Sequence, residues 1–201
     1  MSKLHLMTIV GTRPEIIRLS EVIKKCDKYF SQTLVHTGQN YDPNLSDIFF
    51  HELDLRPPDI HLGIQTTGFA EQAGQILART GEVLFRVRPD RLLILGDTNS
   101  GLAAVVAARM GIPVYHMEAG NRLFDQRVPE ELNRKGIGHL SDVNMTLTEH
   151  ARRYLLAEGL PPEPTFKVGS HMAEVIQHFR PKIQKSDVLI RLGLEERKFF
   201  L

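Results

Sequence analysis

Asp97, Glu118 and Glu130 are carboxylates set in short segments of polar or small residues, and two arginines, Arg13 and Arg18, lie well upstream of them. Carboxylates can give and take protons when their surroundings tune them, and guanidinium groups hold anionic oxygens. The set suits acid/base work beside an anionic substrate, provided the fold brings these distant positions together. Arg13 sits in Gly11-Thr12-Arg13-Pro14-Glu15, where Thr12 and Glu15 have capping-box spacing and Pro14 suits a first helical turn. Capping accounts for those three residues. It leaves Arg13 unexplained, a cation beside helix-end N–H groups where phosphate or carboxylate could sit.

The other positions carry structural alternatives too. Asp97, in Gly96-Asp97-Thr98-Asn99-Ser100, could be an N-cap as readily as a catalytic group. Glu118 is followed by Ala119 and Gly120, which give little steric cover and let a ligand approach, so the functional reading is preferred there. Glu130 and Glu131 open a helical pattern in Pro129-Glu130-Glu131-Leu132-Asn133-Arg134, where acidic residues also partner the helix dipole. His36, in His36-Thr37-Gly38-Gln39, is a candidate substrate-binding residue, and a hydrogen-bonded structural imidazole accounts for it equally well.

What must position these groups is legible in the hydrophobic pattern. Residues 4–10, 33–36, 92–95, 114–117, 143–147 and 166–168 read as strands. They are short runs rich in Val, Ile and Leu on successive positions, as expected of strands covered on both faces. Residues 14–25, 69–87, 100–110, 131–140 and 149–157 read as helices, and the alternation predicts an α/β fold with a doubly wound parallel sheet, Rossmann-like. Ligands of such sheets sit outside the carboxyl ends of the strands, so Asp97, Glu118 and Glu130 should converge on one rim facing Arg13 and Arg18. From Gly169 the rhythm changes: 172–179 looks helical, Arg180-Pro181 should break it, and 198–201 begins an apolar run like a strand entering a sheet. The expected organisation is a domain over 1–168 and a connector over 169–201.

A net charge of +1 shows no broad basic field for nucleic acid or anionic membrane, so neither partner is expected. The single cysteine, Cys26, excludes an internal disulfide and falls in the late turns of an amphipathic helix, which favours a buried structural thiol. The apolar start ends too soon, at Arg13, for a signal peptide or a span, and cytoplasm is the expected location. No GxGxxG or GxxxxGK[ST] follows a strand, and the nine histidines show no tight ligand spacing.

Five ordered segments, Gly11-Thr12-Arg13-Pro14-Glu15, His36-Thr37-Gly38-Gln39, Gly96-Asp97-Thr98-Asn99-Ser100, His116-Met117-Glu118-Ala119-Gly120-Asn121-Arg122 and Pro129-Glu130-Glu131-Leu132-Asn133-Arg134, together resemble the non-hydrolysing UDP-N-acetylglucosamine 2-epimerase family. The resemblance covers residues 4–201. It implies two Rossmann-like domains in a glycosyltransferase-B arrangement with the active site between them. The chain is then the N-terminal domain over 1–168, with a connector and the start of a UDP-binding C-terminal domain over 169–201. By the same resemblance, Arg13, Asp97, Glu118 and Glu130 match active-site positions and Arg134 a position near the nucleotide diphosphate. Arg18 stands where many members have lysine; it keeps the charge but not the easily shifted pKa of an ammonium.

The implied reaction inverts C2 of a UDP-activated N-acetyl amino sugar by elimination: UDP leaves C1, C2 loses its proton, and UDP adds back to a glycal-like intermediate. No nicotinamide or metal cofactor is implied. Asn40-Tyr41-Asp42-Pro43-Asn44-Leu45, Asn121 and Phe124-Asp125-Gln126-Arg127-Val128-Pro129 resemble the UDP-N-acetyl-L-fucosamine synthases, which serve surface polysaccharide. The alternatives are epimerisation of UDP-N-acetylglucosamine itself, a glycosyltransferase of similar architecture, and a lone ligand-binding domain. The resemblance implies that the 201-residue chain alone is inactive and leaves room for a homodimer.

Overall fold

The computed structural model describes residues 3–38, 43–66 and 68–200. In chain order the elements are β1 (His5–Val10), α1 (Arg13–Tyr29), β2 (Ser31–His36), α2 (Pro43–Glu52), β3 (Ile60–His61), α3 (Phe69–Val87) and β4 (Arg91–Leu95). A 3-10 turn over Asn99–Leu102 leads into α4 (Ala103–Arg109). Then come β5 (Val114–Met117), α5 (Pro129–Leu140), β6 (Val143–Thr146), α6 (Glu149–Ala157), β7 (Thr165–Lys167), α7 (Met172–Gln184) and α8 (Val188–Arg191).

The strands form one sheet in the order β3-β2-β1-β4-β5-β6-β7, and every pairing is parallel. Chain direction across the sheet reverses between β1 and β4, the switch point at which the loops after two neighbouring strands diverge and leave a crevice. Both faces are covered. Met7 and Ile9 of β1 face Ile76 and Leu84 of α3 and Ala103, Ala104 and Ala107 of α4. Leu6 and Val10, one position out of phase, face Ile16, Leu19, Ile23 and Cys26 of α1. Burial on both sides is why the strands read as continuous apolar runs rather than as an alternation.

The predicted strands and the helices before residue 169 form, with ends displaced by a few residues; the stretch 100–110 begins as the 3-10 turn. The short β3 and the helices α2 and α8 lacked a clear periodic signal. Pro181 does not break its helix: α7 continues to Gln184. Only Val175 of α7 is buried, so the carbonyl that loses its partner to proline lies on an exposed helix where solvent can satisfy it. Residues 198–200 form no strand, and Phe200 is fully exposed. Cys26 is buried on the sheet-facing side of α1 with its thiol pKa pushed up to about 11 by desolvation, as a structural thiol should be. Among the described residues no helix is long and apolar enough to cross a membrane.

Candidate active site

The turn after β1 is closed by Glu15. One of its oxygens accepts from the Gly11 amide at 2.9 Å, the Thr12 amide at 2.8 Å and the Thr12 hydroxyl at 2.9 Å. The other accepts from the Thr98 hydroxyl at 2.8 Å, across the sheet switch point. Burial raises the Glu15 pKa and outweighs these donors, which act in the opposite sense. The chain thus supplies its own carboxylate to this helix end. A Cβ at Gly11 would lie 1.9 Å from the Ser100 hydroxyl and 2.2 Å from that of Thr37, so only glycine lets the two turns close over each other.

Glu118 follows β5 with φ 64°, a left-handed conformation that is uncommon for a side-chain-bearing residue and strained. Arg18 of α1 places one guanidinium nitrogen 3.0 and 2.8 Å from the two Glu118 oxygens. Burial raises the Glu118 pKa, Arg18 lowers it, Asp97 raises it again and Arg134 opposes; the net direction is upward. Gly120 is required here: a Cβ would lie 2.3 Å from the Ala151 carbonyl oxygen of α6.

Asp97 follows β4 and is paired with Arg134 of α5, whose other nitrogen is 3.3 Å from Glu131. Glu131 is fully buried and also accepts the amides of Leu123 at 3.0 Å and Phe124 at 3.3 Å. The Asn133 amide donates to the Asp97 carbonyl and to the Asn99 side chain, both at 3.0 Å, which fixes the backbone carrying Asp97. Behind it, His116 is completely buried with Nε2 2.7 Å from the Gly96 carbonyl, and burial pulls its pKa down to about 4. It is a neutral imidazole that donates to Gly96 and braces the turn.

Two adjoining clefts open at this rim. The first, about 890 Å³, is lined by Thr12, Pro14, Arg18, Phe69, Asp97, Thr98, Gln126, Glu130 and their neighbours. The second, about 540 Å³, is lined by Arg18, Asp97, Glu118, Asn121, Leu123, Arg134, His150, Tyr154 and others. Asp97 and Arg18 border both. Five of the seven candidate residues, Asp97, Glu118, Glu130, Arg18 and Arg134, therefore line these two clefts.

Arg13 and His36 do not. Arg13 is exposed at the first position of α1 and lines neither cleft. Pro14 and Arg18, four positions apart, share the cleft-facing side of the helix, and Arg13 is one position off it. His36 is 2% exposed with its ring edge-on to Phe50 at 6.2 Å and tilted to His61 at 5.6 Å. The pleat puts it on the same face as Leu34, towards α2; its Nδ1 accepts from the Gly38 amide at 3.2 Å, and it lines neither cleft. Gln39, Asn40, Tyr41 and Asp42 of the sequence motifs lie outside the described residues.

Sequence reasoning passed over Thr98, Glu131, Asn133 and His116 as working parts. Asn133 could have been found, since it stands three positions after Glu130 on the same helical face. Glu131 could not, because nothing in the sequence distinguishes a buried acid from an exposed one in a first turn.

A family model described as UDP-N-acetylglucosamine 2-epimerase matches residues 24–201. Among solved structures, a UDP-N-acetylglucosamine 2-epimerase from Rickettsia bellii is 56% identical with a TM-score of 0.91, over 96% of this chain and 52% of that one. The Methanocaldococcus jannaschii UDP-GlcNAc 2-epimerase, solved in complex with UDP-GlcNAc and UDP, is 36% identical with a TM-score of 0.89, over 94% and 53%. A UDP-2,3-diacetamido-2,3-dideoxy-D-glucuronate 2-epimerase of Pseudomonas aeruginosa is 38% identical over 78% of this chain and 45% of that protein. The chain spans about half the length of the curated relatives it matches.

Proposed function

We infer the activity from one premise: this chain belongs to the UDP-N-acetylglucosamine 2-epimerase family. The proposed reaction is epimerisation of a UDP-activated N-acetyl amino sugar. The observation that carries it is the largely buried Glu118, its pKa raised, paired with Arg18 and within electrostatic range of the neighbouring Asp97–Arg134 pair. A C2 proton beside no carbonyl is hard to remove directly. Departure of UDP from C1 with loss of that proton makes elimination feasible, and the leaving diphosphate then needs cationic stabilisation, which Arg18 and Arg134 can supply.

Inversion requires proton transfer on both faces of C2. Glu118 and Asp97 at the second cleft and Glu130 at the first give carboxylates on either side of a ligand that spans the shared border. Members of this architecture that hold UDP in a second domain would leave residues 1–168 to supply the sugar-facing wall, and residues 169–201 would form the connector. The experiment is turnover in heavy water by the intact enzyme carrying this chain, without added nicotinamide. Deuterium appears at C2 of the product if elimination operates; product with no label at C2 overturns the route.

For the sugar, we infer a UDP-activated 2-acetamido-2,6-dideoxy-L-hexose, giving the L-fucosamine nucleotide. The support is Asn121 with residues 124–129, together with the apolar surface that Leu123 and Tyr154 add to the second cleft, where a 6-methyl group could rest.

A further inference from the structure

Two guanidinium–carboxylate pairs stand side by side at the rim, Arg18 with Glu118 and Arg134 with Asp97. Arg18 and Asp97 each border both clefts, so a ligand entering either one meets a member of each pair. The pairs are not equally free to open. Arg134 is held from behind by Glu131, and its side chain is only 13% exposed. Arg18 is 43% exposed, against 12% for Glu118, and has no second carboxylate at ion-pair distance among the described residues. Glu118 is also fixed by its own backbone, which the turn holds at φ 64° before Gly120. Arg18 is therefore the movable partner and Glu118 the stationary one.

We propose that Arg18 is a positioning residue that changes partner, leaving Glu118 for phosphate oxygens when a diphosphate-bearing ligand enters, so that Glu118 is released for proton transfer only once that ligand is seated. The identity of the anion rests on the epimerase reading. The exchange itself rests on the geometry: phosphate offers a guanidinium fork the same paired oxygens as a carboxylate, with more charge.

The exchange has a chemical consequence. Both Glu118 oxygens are occupied by Arg18, and an oxygen whose lone pairs are engaged by a cation is a poor proton acceptor. The charged groups that act most strongly on Glu118 are Arg18 from α1, Asp97 after β4 and Arg134 from α5, and Arg122 and His150 line the same cleft. Removing Arg18 leaves burial and Asp97, both of which raise its pKa, opposed by Arg134 alone. The pKa then moves further up, which makes the released carboxylate a better proton acceptor. No bond is made or broken in the exchange, so it is complete before chemistry begins.

The test is a carbon-13 carboxyl NMR titration of the chain, with inorganic pyrophosphate as the probe and Glu118→Gln to assign the signal. Saturating pyrophosphate is expected to move the Arg18 Nε resonance and to raise the Glu118 midpoint by about one pH unit or more. Arg18→Gln is expected to raise that midpoint without pyrophosphate and to make it insensitive to the addition. Should that variant fold poorly, Arg18→Lys gives the same comparison with a smaller shift. Bound pyrophosphate with an unmoved Glu118 midpoint, an Arg18 resonance that never responds, or an Arg18→Gln midpoint equal to wild type would each overturn the exchange. The titration needs no turnover. Absence of any C2 epimer in the heavy-water assay sinks the epimerase reading and leaves the exchange standing, and a failed titration does the reverse.

Discussion

The Thr98 hydroxyl donates to Glu15, a residue 83 positions earlier in the chain, at 2.8 Å. The bond joins the turn after β4 to the first turn of α1, and Thr98 adjoins Asp97 while Glu15 lies one helical turn before Arg18. A carboxylate and a cation of the two clefts are thus set against each other by a buried acid that is itself no member of the reacting pair.

Glu118→Gln keeps the size of the side chain and one of its two acceptors for Arg18 but removes the basic carboxylate. In the intact enzyme, kcat is expected to fall at least ~100-fold, the low end for loss of a general acid/base group. Circular dichroism and the unfolding midpoint should be close to wild type. Near-wild-type turnover by a correctly folded variant would return Glu118 to a purely structural role.

His116 makes stability depend on pH. Its folded-state pKa is about 4 against 6.5 for a free imidazole, because burial disfavours the cation. The unfolded chain therefore binds more protons between those values, and the contribution of His116 is full above pH 6.5 and lost as pH falls towards 4. The loss amounts to about 3 kcal/mol. Glu15 and Glu118, with raised pKa values, act in the opposite sense, so the measurement is differential: urea unfolding of wild type and His116→Gln across this range. The difference between the two should shrink as pH falls. A constant difference would mean that His116 is not buried neutral.

Gly120→Ala is expected to destabilise the fold by at least ~2 kcal/mol, since the residue has φ 79° and an added methyl would meet the Ala151 carbonyl. Thermal or urea unfolding decides. A change under ~0.5 kcal/mol would show that α6 can withdraw from the β5 turn, and that Glu118 is less firmly placed than argued.

Comparison of kcat/KM for the two nucleotides tests the substrate proposal. The intact enzyme should prefer UDP-activated 2-acetamido-2,6-dideoxy-L-hexoses over UDP-N-acetylglucosamine by about ten- to a hundred-fold. Burying a 6-hydroxyl against apolar surface without a partner costs roughly 1–3 kcal/mol. Equal or reversed preference would refute the fucosamine assignment and leave the epimerase reading in place.

Much of this was open to reading before any coordinates. Strand runs without alternation can be stable only between two covered faces, and short turns between them and the helices leave a parallel sheet as the economical solution. Once the sheet is parallel, residues after the strands share a rim, so Asp97 and Glu118 could be placed together from sequence alone. The family resemblance came from five ordered motifs and needed no geometry.

Other features depended on direction, burial and long-range partners, which local sequence does not encode. Arg13 and Arg18 both read as cations facing the carboxylates, and the helical pitch put Arg18 in the clefts and Arg13 outside them. His36 ended a strand as Asp97 nearly does, but the pleat turned its ring into the layer under α2. Glu130 and Glu131 are neighbours of the same type, and packing made one a cleft wall and the other a buried anchor for two loop amides and Arg134. Pro181 looked like a helix end and was tolerated, because the strength of a proline break depends on whether the freed carbonyl is buried. Residue types and their order determined the class of fold and the chemistry on offer. Which side chains face the ligand was decided by helix phase, sheet pleat and contacts between segments some eighty or more positions apart, such as Glu15 with Thr98 and Arg18 with Glu118.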